Sequence, residues 1–332
     1  MEQELGLDLN VTKVSWPMAE PFTIARGTMT HCDAVLVELR CGDISGRSEA
    51  YGIIYEGETP DSIIAEIEAV RAKIEAGIDR AELQNLLGIG GARCAIDCAL
   101  WDLEAKQRKS SVAAIAGLAG GMKPLETAYT IGIRNLEDVR RTAAERSHHK
   151  LLKIKLNAEH HLDVIEAVRA AAPNSRFIID PNQSWDLALL DRLMPDLQRL
   201  GVVLLEQPLP VDGDDGLLGY SSPIPICADE LIDDRSDLHK ARGKYQVINI
   251  KLDKAGGLTE ALALAHAAIA EGYRLMVGCM AGSSLSMAPA MVVGQYCDFV
   301  DLDGPLLQTD DWPNPIRYED GIMSVPEPVL WG

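Results

Sequence analysis

No stretch of the 332-residue chain is long and apolar enough to span a bilayer. Basic residues are scarce as well: Lys and Arg number 31 against 50 Asp and Glu, for a net charge of −19. So negative a surface repels nucleic acid and anionic lipid, which excludes both as expected partners, and it favours solubility. The opening Met1-Glu2-Gln3-Glu4-Leu5 has neither a basic segment nor an apolar one, so no secretory signal is read and a cytoplasmic location is expected. A disulfide framework is lacking too. Seven cysteines, an odd number scattered through a long chain, fit free thiols in a reducing compartment. Cys94 and Cys98 stand four apart on one face of a predicted helix, where they read as small buried hydrophobes rather than metal ligands.

What is present is ordinary globular material, with 47% hydrophobic and 24% charged residues and a length that suits one large domain or two. The first part reads as mixed α and β. Val35 to Leu39 is strand-like. Asp61 and Ser62 offer a helix cap, Ile63, Ile64, Ile67, Val70 and Ile74 form an apolar stripe behind it, and Gly77 stops the helix. A second helix is expected from about Ala92 to Lys106. The Gly-rich stretch from Gly117 to Pro124 is the expected domain boundary.

Beyond it the pattern changes to short apolar runs with helical segments between them. The runs are 128–131, 151–156, 177–180, 202–206, 225–229, 247–251, 274–278 and 299–303. Eight strands in such alternation indicate a parallel sheet, and eight is the number that closes a barrel.

Charge falls at the ends of these runs. Lys155, Asp180, Glu206, Asp229, Lys251 and Asp303 each sit at a C-terminal end, and the steps from Lys155 to Lys251 are 25, 26, 23 and 22 residues. One such step is about one βα unit, so these side chains converge on the rim where barrel active sites lie. Alternation puts Lys153 with Lys155 on one face, Asn249, Lys251 and Asp253 on another, and Asp301 with Asp303 on a third. A single charged residue at a strand end is usually a solvated loop residue. Three carboxylates on consecutive strands, with lysines before and after, are not so explained.

Three hard oxygen ligands on rigid strands suit Mg²⁺, one ion per subunit, and disfavour zinc. None of the seven histidines ends a predicted barrel strand, so no histidine base is available and the bases would be lysines. A lysine near its ordinary pKa of about 10.4 is protonated at neutral pH. A second cation or a divalent metal beside it is expected to lower that value, and Lys153 beside Lys155 would contribute such a push.

In order and spacing, Lys153-Ile154-Lys155, Asp180-Pro181-Asn182, Glu206-Gln207-Pro208, Ala228-Asp229-Glu230 and the stretch from Asn249 to Gly257 resemble the enolase superfamily, closest to its muconate-lactonising subgroup. The helix from Ala92 to Leu103 resembles the N-terminal domain of that branch. The resemblance covers essentially the whole chain and implies an α/β fold: a modified (β/α)₇β barrel over 125–304 with an α+β capping domain over 1–124, completed by the tail 305–332. It also implies Asp180, Glu206 and Asp229 as Mg²⁺ ligands, Lys155 and Lys251 as paired acid/base catalysts, and Lys153 as a supporting cation. The chain departs from the pattern at Pro181, where many relatives carry Ala, and at Ala281-Gly282, where many have an acidic residue.

The subgroup's reactions all begin by taking a proton α to a carboxylate, so the core residues do not choose among them. Asp301-Leu302-Asp303 is the discriminating feature. Two carboxylates on one face form a site for a cation such as a dipeptide α-ammonium, and the pattern resembles the amino-terminus clamp of dipeptide epimerases. Arg26 resembles the capping-loop arginine of epimerases that act on Ala-Glu, and Tyr51 and Tyr55 are expected at the same mouth. The expectation is therefore an isomerase, a dipeptide epimerase acting on L-Ala-D/L-Glu, which would suggest recycling of cell-wall peptides. N-acylamino acid racemase and o-succinylbenzoate synthase are the alternatives within the subgroup, and a non-catalytic metal- or carboxylate-binding barrel lies outside it. A homo-oligomer is left open.

Overall fold

The computed structural model describes residues 6–332, so the stretch Met1–Leu5 read for a signal lies outside the described residues. A three-stranded antiparallel sheet opens the chain: β1 (Asp8–Ile24), β2 (Gly27–Cys41) and β3 (Ile44–Ala50). Helices α1 (Pro60–Glu75), α2 (Arg80–Leu86), α3 (Gly91–Gln107) and α4 (Val112–Ile115) follow. The cap of α1 differs from the sequence expectation. It is Thr59, whose hydroxyl accepts from Ser62 N, while the Ser62 hydroxyl accepts from Thr59 N. Pro60 then takes the first helical position, where its fixed φ fits and its missing N–H costs nothing, so Asp61 and Ser62 lie inside the helix.

Helix α3 is buried along nearly its whole length because it is covered from two sides. On one side lies β3, so close that a Cβ on Gly46 would stand 2.3 Å from the Ala99 carbonyl oxygen. On the other lies the barrel. Trp101 Nε1 donates to Thr259 Oγ1 at 2.9 Å, and the Asp97 carboxylate accepts from Thr259 N at 2.9 Å.

After a short strand β4 (Leu125–Glu126) come eight parallel strands in sequential order: β5 (Tyr129–Ile131), β6 (Leu151–Lys155), β7 (Arg176–Asp180), β8 (Val202–Glu206), β9 (Ile226–Ala228), β10 (Val247–Ile250), β11 (Arg274–Gly278) and β12 (Phe299–Asp301). First and last meet through Ala128 N donating to Val300 O at 2.9 Å, and Leu302 N donating to Thr127 Oγ1 at 2.9 Å. Helices α5 (Leu136–Glu145), α6 (Leu162–Ala171), α7 (Leu187–Arg199), α8 (Leu238–Ala241), α9 (Leu252–Ala255), α10 (Leu258–Ala270) and α11 (Ser284–Gly294) accompany them. One expected helix is missing: β8 and β9 are joined through a 3₁₀ turn, Asp214–Leu217. The breakers Pro208, Pro210, Gly213, Gly216, Gly219, Pro223 and Pro225 in that segment explain why.

The barrel interior is layered by strand alternation. Ala128, Leu151, Ile178, Leu204, Cys227, Val247, Met276 and Phe299 form one apolar cluster, a residue from each strand or its entry. Two residues further along the same face come Thr130, Lys153, Asp180, Glu206, Asp229, Asn249, Gly278 and Asp301. Two further again stand Lys155, Lys251 and Asp303 at the C-terminal rim. An oily floor thus supports a polar storey, which is the architecture that places chemistry at this end of a parallel barrel.

The C-terminal segment ties both parts together. Ile322 pairs with Glu126, while Trp331 Nε1 donates to Cys98 O at 3.2 Å and Gly332 N donates to Asp102 at 2.8 Å. Asp253 is a second tie. The strand expected to carry it ends at Ile250, and in α9 its carboxylate accepts from Tyr51 N at 2.9 Å and Gly52 N at 2.8 Å. Burial pushes this carboxyl up to about 6, from an ordinary value of 3.8. The folded chain thus holds the proton more tightly than the unfolded one, and the associated stability is complete below about pH 4 and lost as pH rises through 6. Asp253→Asn keeps an acceptor without the buried charge. It is expected to raise Tm at pH 8 by a few degrees and to change it little at pH 5; thermal melts at the two pH values check this, and an equal shift at both would rule out the charge as the cause.

Candidate active site

The three carboxylates are fully buried, and their partners are lysines. Lys153 Nζ lies 2.7 Å from Asp301 Oδ2, 2.7 Å from Glu206 Oε2 and 3.2 Å from Asp180 Oδ2. Lys155 Nζ reaches Asp180 Oδ2 at 2.5 Å, and Lys251 Nζ reaches Asp229 Oδ2 at 2.7 Å. The two candidate bases therefore flank the carboxylate arc from β6 and from the end of β10, with β7, β8 and β9 between them. Room for Lys251 comes from Gly278, since a Cβ there would lie 3.1 Å from the Lys251 Cε.

Neighbouring residues fix the carboxylates. Asn249 Nδ2 donates to Glu206 Oε1 at 2.9 Å, and Asn182 N donates to Asp180 Oδ1 at 2.9 Å. Gln207 Oε1 accepts from Asp229 N at 2.9 Å, and its amide nitrogen donates to Tyr245 Oη at 2.8 Å. Both Asn182 and Gln207 have positive φ, 44° and 33°, a conformation that costs a non-glycine residue roughly 1–2 kcal/mol. Lys254, fully buried, meets Asp229 Oδ1 at 2.9 Å and donates to the carbonyls of Asp229 and Ile232.

The neighbouring carboxylates set the direction in which the buried lysines Lys251 and Lys153 shift. Burial alone pulls Lys251 down, but Asp229 and Glu206 outweigh it and hold the group above the ordinary lysine range. Lys153 is held up in the same way by Asp301, Glu206 and Asp180. Attraction from carboxylates within 3 Å exceeds repulsion between the lysines, so only a cation competing for the same oxygens frees them.

That competition is what the donor set suits. Glu206 Oε2 and Asp229 Oδ1 are buried and meet ammonium groups without an aligned hydrogen bond, so each keeps lone pairs for a stronger cation. Three hard carboxylates with no thiolate or imidazole among them fit Mg²⁺. Among the described residues no three acidic, histidine or cysteine side chains are already drawn together as a metal cage, because the ammonium groups stand between them.

Asp301 and Asp303 both line the same cavity, which has a volume of 710 Å³. Asp301 Oδ1 accepts from Thr130 Oγ1 at 3.2 Å while its other oxygen holds Lys153. Asp303 Oδ2 accepts from Thr130 N at 2.5 Å, and burial next to Asp301 pushes its carboxyl up. Asp303 lies beyond the end of β12, so it shares the cavity with Asp301 but not the strand. The capping sheet supplies the opposite wall with Phe22, Met29, His31 and Arg26, and Tyr51 and Tyr55 line it as expected. Thr130, Lys254 and Glu230 were not singled out in the sequence. Thr130 was findable from its place two residues after Ala128 on the inward face.

Residues 136–329 match the enolase C-terminal domain-like family, and residues 7–117 match the mandelate racemase/muconate lactonizing enzyme N-terminal domain. The chain is 39% identical over 319 residues to the L-Ala-D/L-Glu epimerase of Escherichia coli, covering 96% of this chain and 99% of that one. It is 43% identical over 255 residues to the N-acetyl-D-glutamate racemase of a Pseudoalteromonas species, covering 77% and 80%. Among solved structures, an enolase family member from Agrobacterium tumefaciens with homology to dipeptide epimerases, with bound sodium and L-Ala-L-Glu, superposes with a TM-score of 0.96 at 42% identity, covering 98% and 100%. The dipeptide epimerase of Methylococcus capsulatus, complexed with Mg and L-Arg-D-Lys, gives 0.90 at 30% identity, covering 98% and 99%.

Proposed function

This chain belongs to the enolase superfamily, in its mandelate racemase/muconate lactonizing branch, and from that premise we propose that it is a magnesium-dependent dipeptide epimerase acting on L-Ala-D/L-Glu. One observation carries the reading. Two lysines that flank a fully buried carboxylate arc reach a cavity lined by a pair of aspartates on one wall and an arginine on the other. The first feature suits proton exchange at a carbon, the second a substrate ammonium, the third a second carboxylate.

Asp180, Glu206 and Asp229 would hold Mg²⁺. When bound, the ion supplies Lewis acidity to the substrate's terminal carboxylate, which lowers the cost of the second negative charge as the α-proton leaves. Lys155 and Lys251 address the α-carbon from opposite sides of the arc; one takes the proton and the other returns one to the opposite face, giving 1,1-proton transfer. Lys153 stays buried and offsets the charge of Asp301, Glu206 and Asp180. Asp303 and Asp301 receive the α-ammonium, and Arg26 reads the glutamate side chain. The apolar cap side chains Phe22 and Met29 keep bulk water from the reacting carbon. Turnover of Ala-Glu fits the recycling of cell-wall peptides in the cytoplasm.

Proton NMR of L-Ala-L-Glu with enzyme and Mg²⁺ in D₂O tests this directly. Loss of the glutamate α-proton signal with growth of the L-Ala-D-Glu diastereomer is expected. The likeness to an N-acetyl-D-glutamate racemase favours a second reading, with an acylated amino acid as substrate. N-acetylglutamate in the same assay separates the two, because it has no ammonium for Asp301 and Asp303 to hold. Asp303→Ala is expected to lower kcat/KM for the dipeptide by about 10²-fold, mostly through KM, as loss of a charge-assisted contact to a buried ammonium implies. An unchanged kcat/KM would remove the clamp.

A further inference from the structure

Glu230 follows Asp229 in sequence, just past the end of β9, but its side chain turns to the capping domain. Its Oε1 accepts from Arg26 Nη1 at 2.7 Å, across 204 residues of sequence, with Asn182 Nδ2 at 3.5 Å from the same oxygen. The two ends of this pair are unlike. The Glu230 side chain is 3% exposed, while that of Arg26 is 30% exposed at the tip between β1 and β2. The guanidinium also lies over the Tyr55 ring, 4.6 Å from its centroid.

Arg26 is thus held on one face by an aromatic ring and on one edge by a buried acid. Among the described residues only its Nη1 is bonded to protein, and it lines the cavity, so Nε and Nη2 stay free for another anion. The Tyr55 hydroxyl, Glu230 Oε2 and Asn182 Oδ1 are all buried without hydrogen-bond partners at this spot. A planar fork of donors can serve two carboxylates at once, one per edge.

We propose that Glu230 is a positioning and specificity-determining residue, which presents the free edge of Arg26 to an anionic side chain on the substrate's C-terminal residue. This rests on the reading of Arg26 given above and adds what makes that arginine selective. A long side chain on a hairpin tip would otherwise be immobilised at each binding event, and prior fixing by Glu230 removes that cost.

The test measures kcat/KM for L-Ala-L-Glu and L-Ala-L-Leu and takes their ratio, with Mg²⁺ saturating. Arg26→Met is expected to lower the ratio, and Glu230→Gln to lower it about tenfold, entering through KM rather than kcat. Glu230→Asp, which keeps the charge, should recover part of the loss. In the Arg26→Met background Glu230→Gln should have no further effect on the ratio, because the acid acts through the arginine. Any weakening of the neighbouring metal site lowers both substrates alike and leaves the ratio untouched. An unchanged ratio in Glu230→Gln beside a lowered one in Arg26→Met overturns the proposal alone. So does a raised ratio, which would make Glu230 a competitor of the substrate, or an effect that persists without Arg26. An unchanged ratio in Arg26→Met instead overturns the reading of Arg26 itself.

Discussion

Replacing either Lys155 or Lys251 with Ala is expected to lower interconversion of the two Ala-Glu diastereomers by about 10²–10⁴-fold, the range for loss of a general acid or base. The two variants should differ in what they retain. Lys155 reaches the cavity from β6 and Lys251 from the end of β10, on opposite sides of Asp180, Glu206 and Asp229. A variant with one lysine can still take the proton from the diastereomer that faces it and return deuterium to that same face. Each single variant should therefore exchange the α-proton of one diastereomer in D₂O without making the other, and the two variants should exchange opposite ones. Exchange of the same diastereomer by both variants would mean that the two lysines address one face of the α-carbon and would overturn the two-base assignment. Chelation of the metal should abolish exchange in the Lys155→Ala variant, which keeps Lys251, because the carboxylates then hold that lysine above the ordinary range. Exchange that survives EDTA would show that the carboxylates do not control the lysine.

Much of this was legible in the residues because the barrel repeats one local rule. An apolar inward residue is followed two positions later by a polar one, so Ile178 announces Asp180, Leu204 announces Glu206 and Cys227 announces Asp229. The helix expected near 92–106 is found at Gly91–Gln107 for a similar reason, since its composition has no internal breaker. What was not legible depends on distance rather than pattern. The sign of the lysine shifts turns on carboxylates within 3 Å outweighing neighbouring cations, and no spacing encodes that balance. Asp253 was placed on a strand by alternation, but the strand ends at Ile250 and Lys251 caps a helix. Arg26 and Glu230 meet across 204 residues, where neither periodicity nor a local motif reaches. The β8–β9 connector shows the converse: its prolines and glycines were visible, and the expectation of regular βα units overrode them.

Asp229→Asn is expected to lose both activity and stability, and the two losses should be separable. Asp229 carries two kinds of contact: Oδ2 meets Lys251, which faces the cavity, and Oδ1 meets Lys254, which is 0% exposed. An Asn there weakens any divalent cation held with Asp180 and Glu206, and a loss of several kcal/mol of transition-state stabilisation corresponds to about 10³-fold in rate. It also leaves a buried ammonium without its counter-charge, at a cost on the order of 3–5 kcal/mol. Asp229→Asn combined with Lys254→Met removes the orphaned charge, so thermal stability should recover in part, although the carbonyls of Asp229 and Ile232 lose their donor. Activity should not recover, because the oxygen ligand is still gone. Thermal melts, Mg²⁺ calorimetry and the NMR assay on the single and double variants read these outcomes independently. Activity that returns with stability would show that Asp229 serves only the fold. Full Mg²⁺ affinity in the single variant would remove it from the metal site, and an unchanged Tm there would show that Lys254 does not depend on it. The result expected, stability regained with catalysis still absent, gives the Asp229 carboxylate two separable duties, one to neutralise buried Lys254 at the end of β9 and one in the reaction.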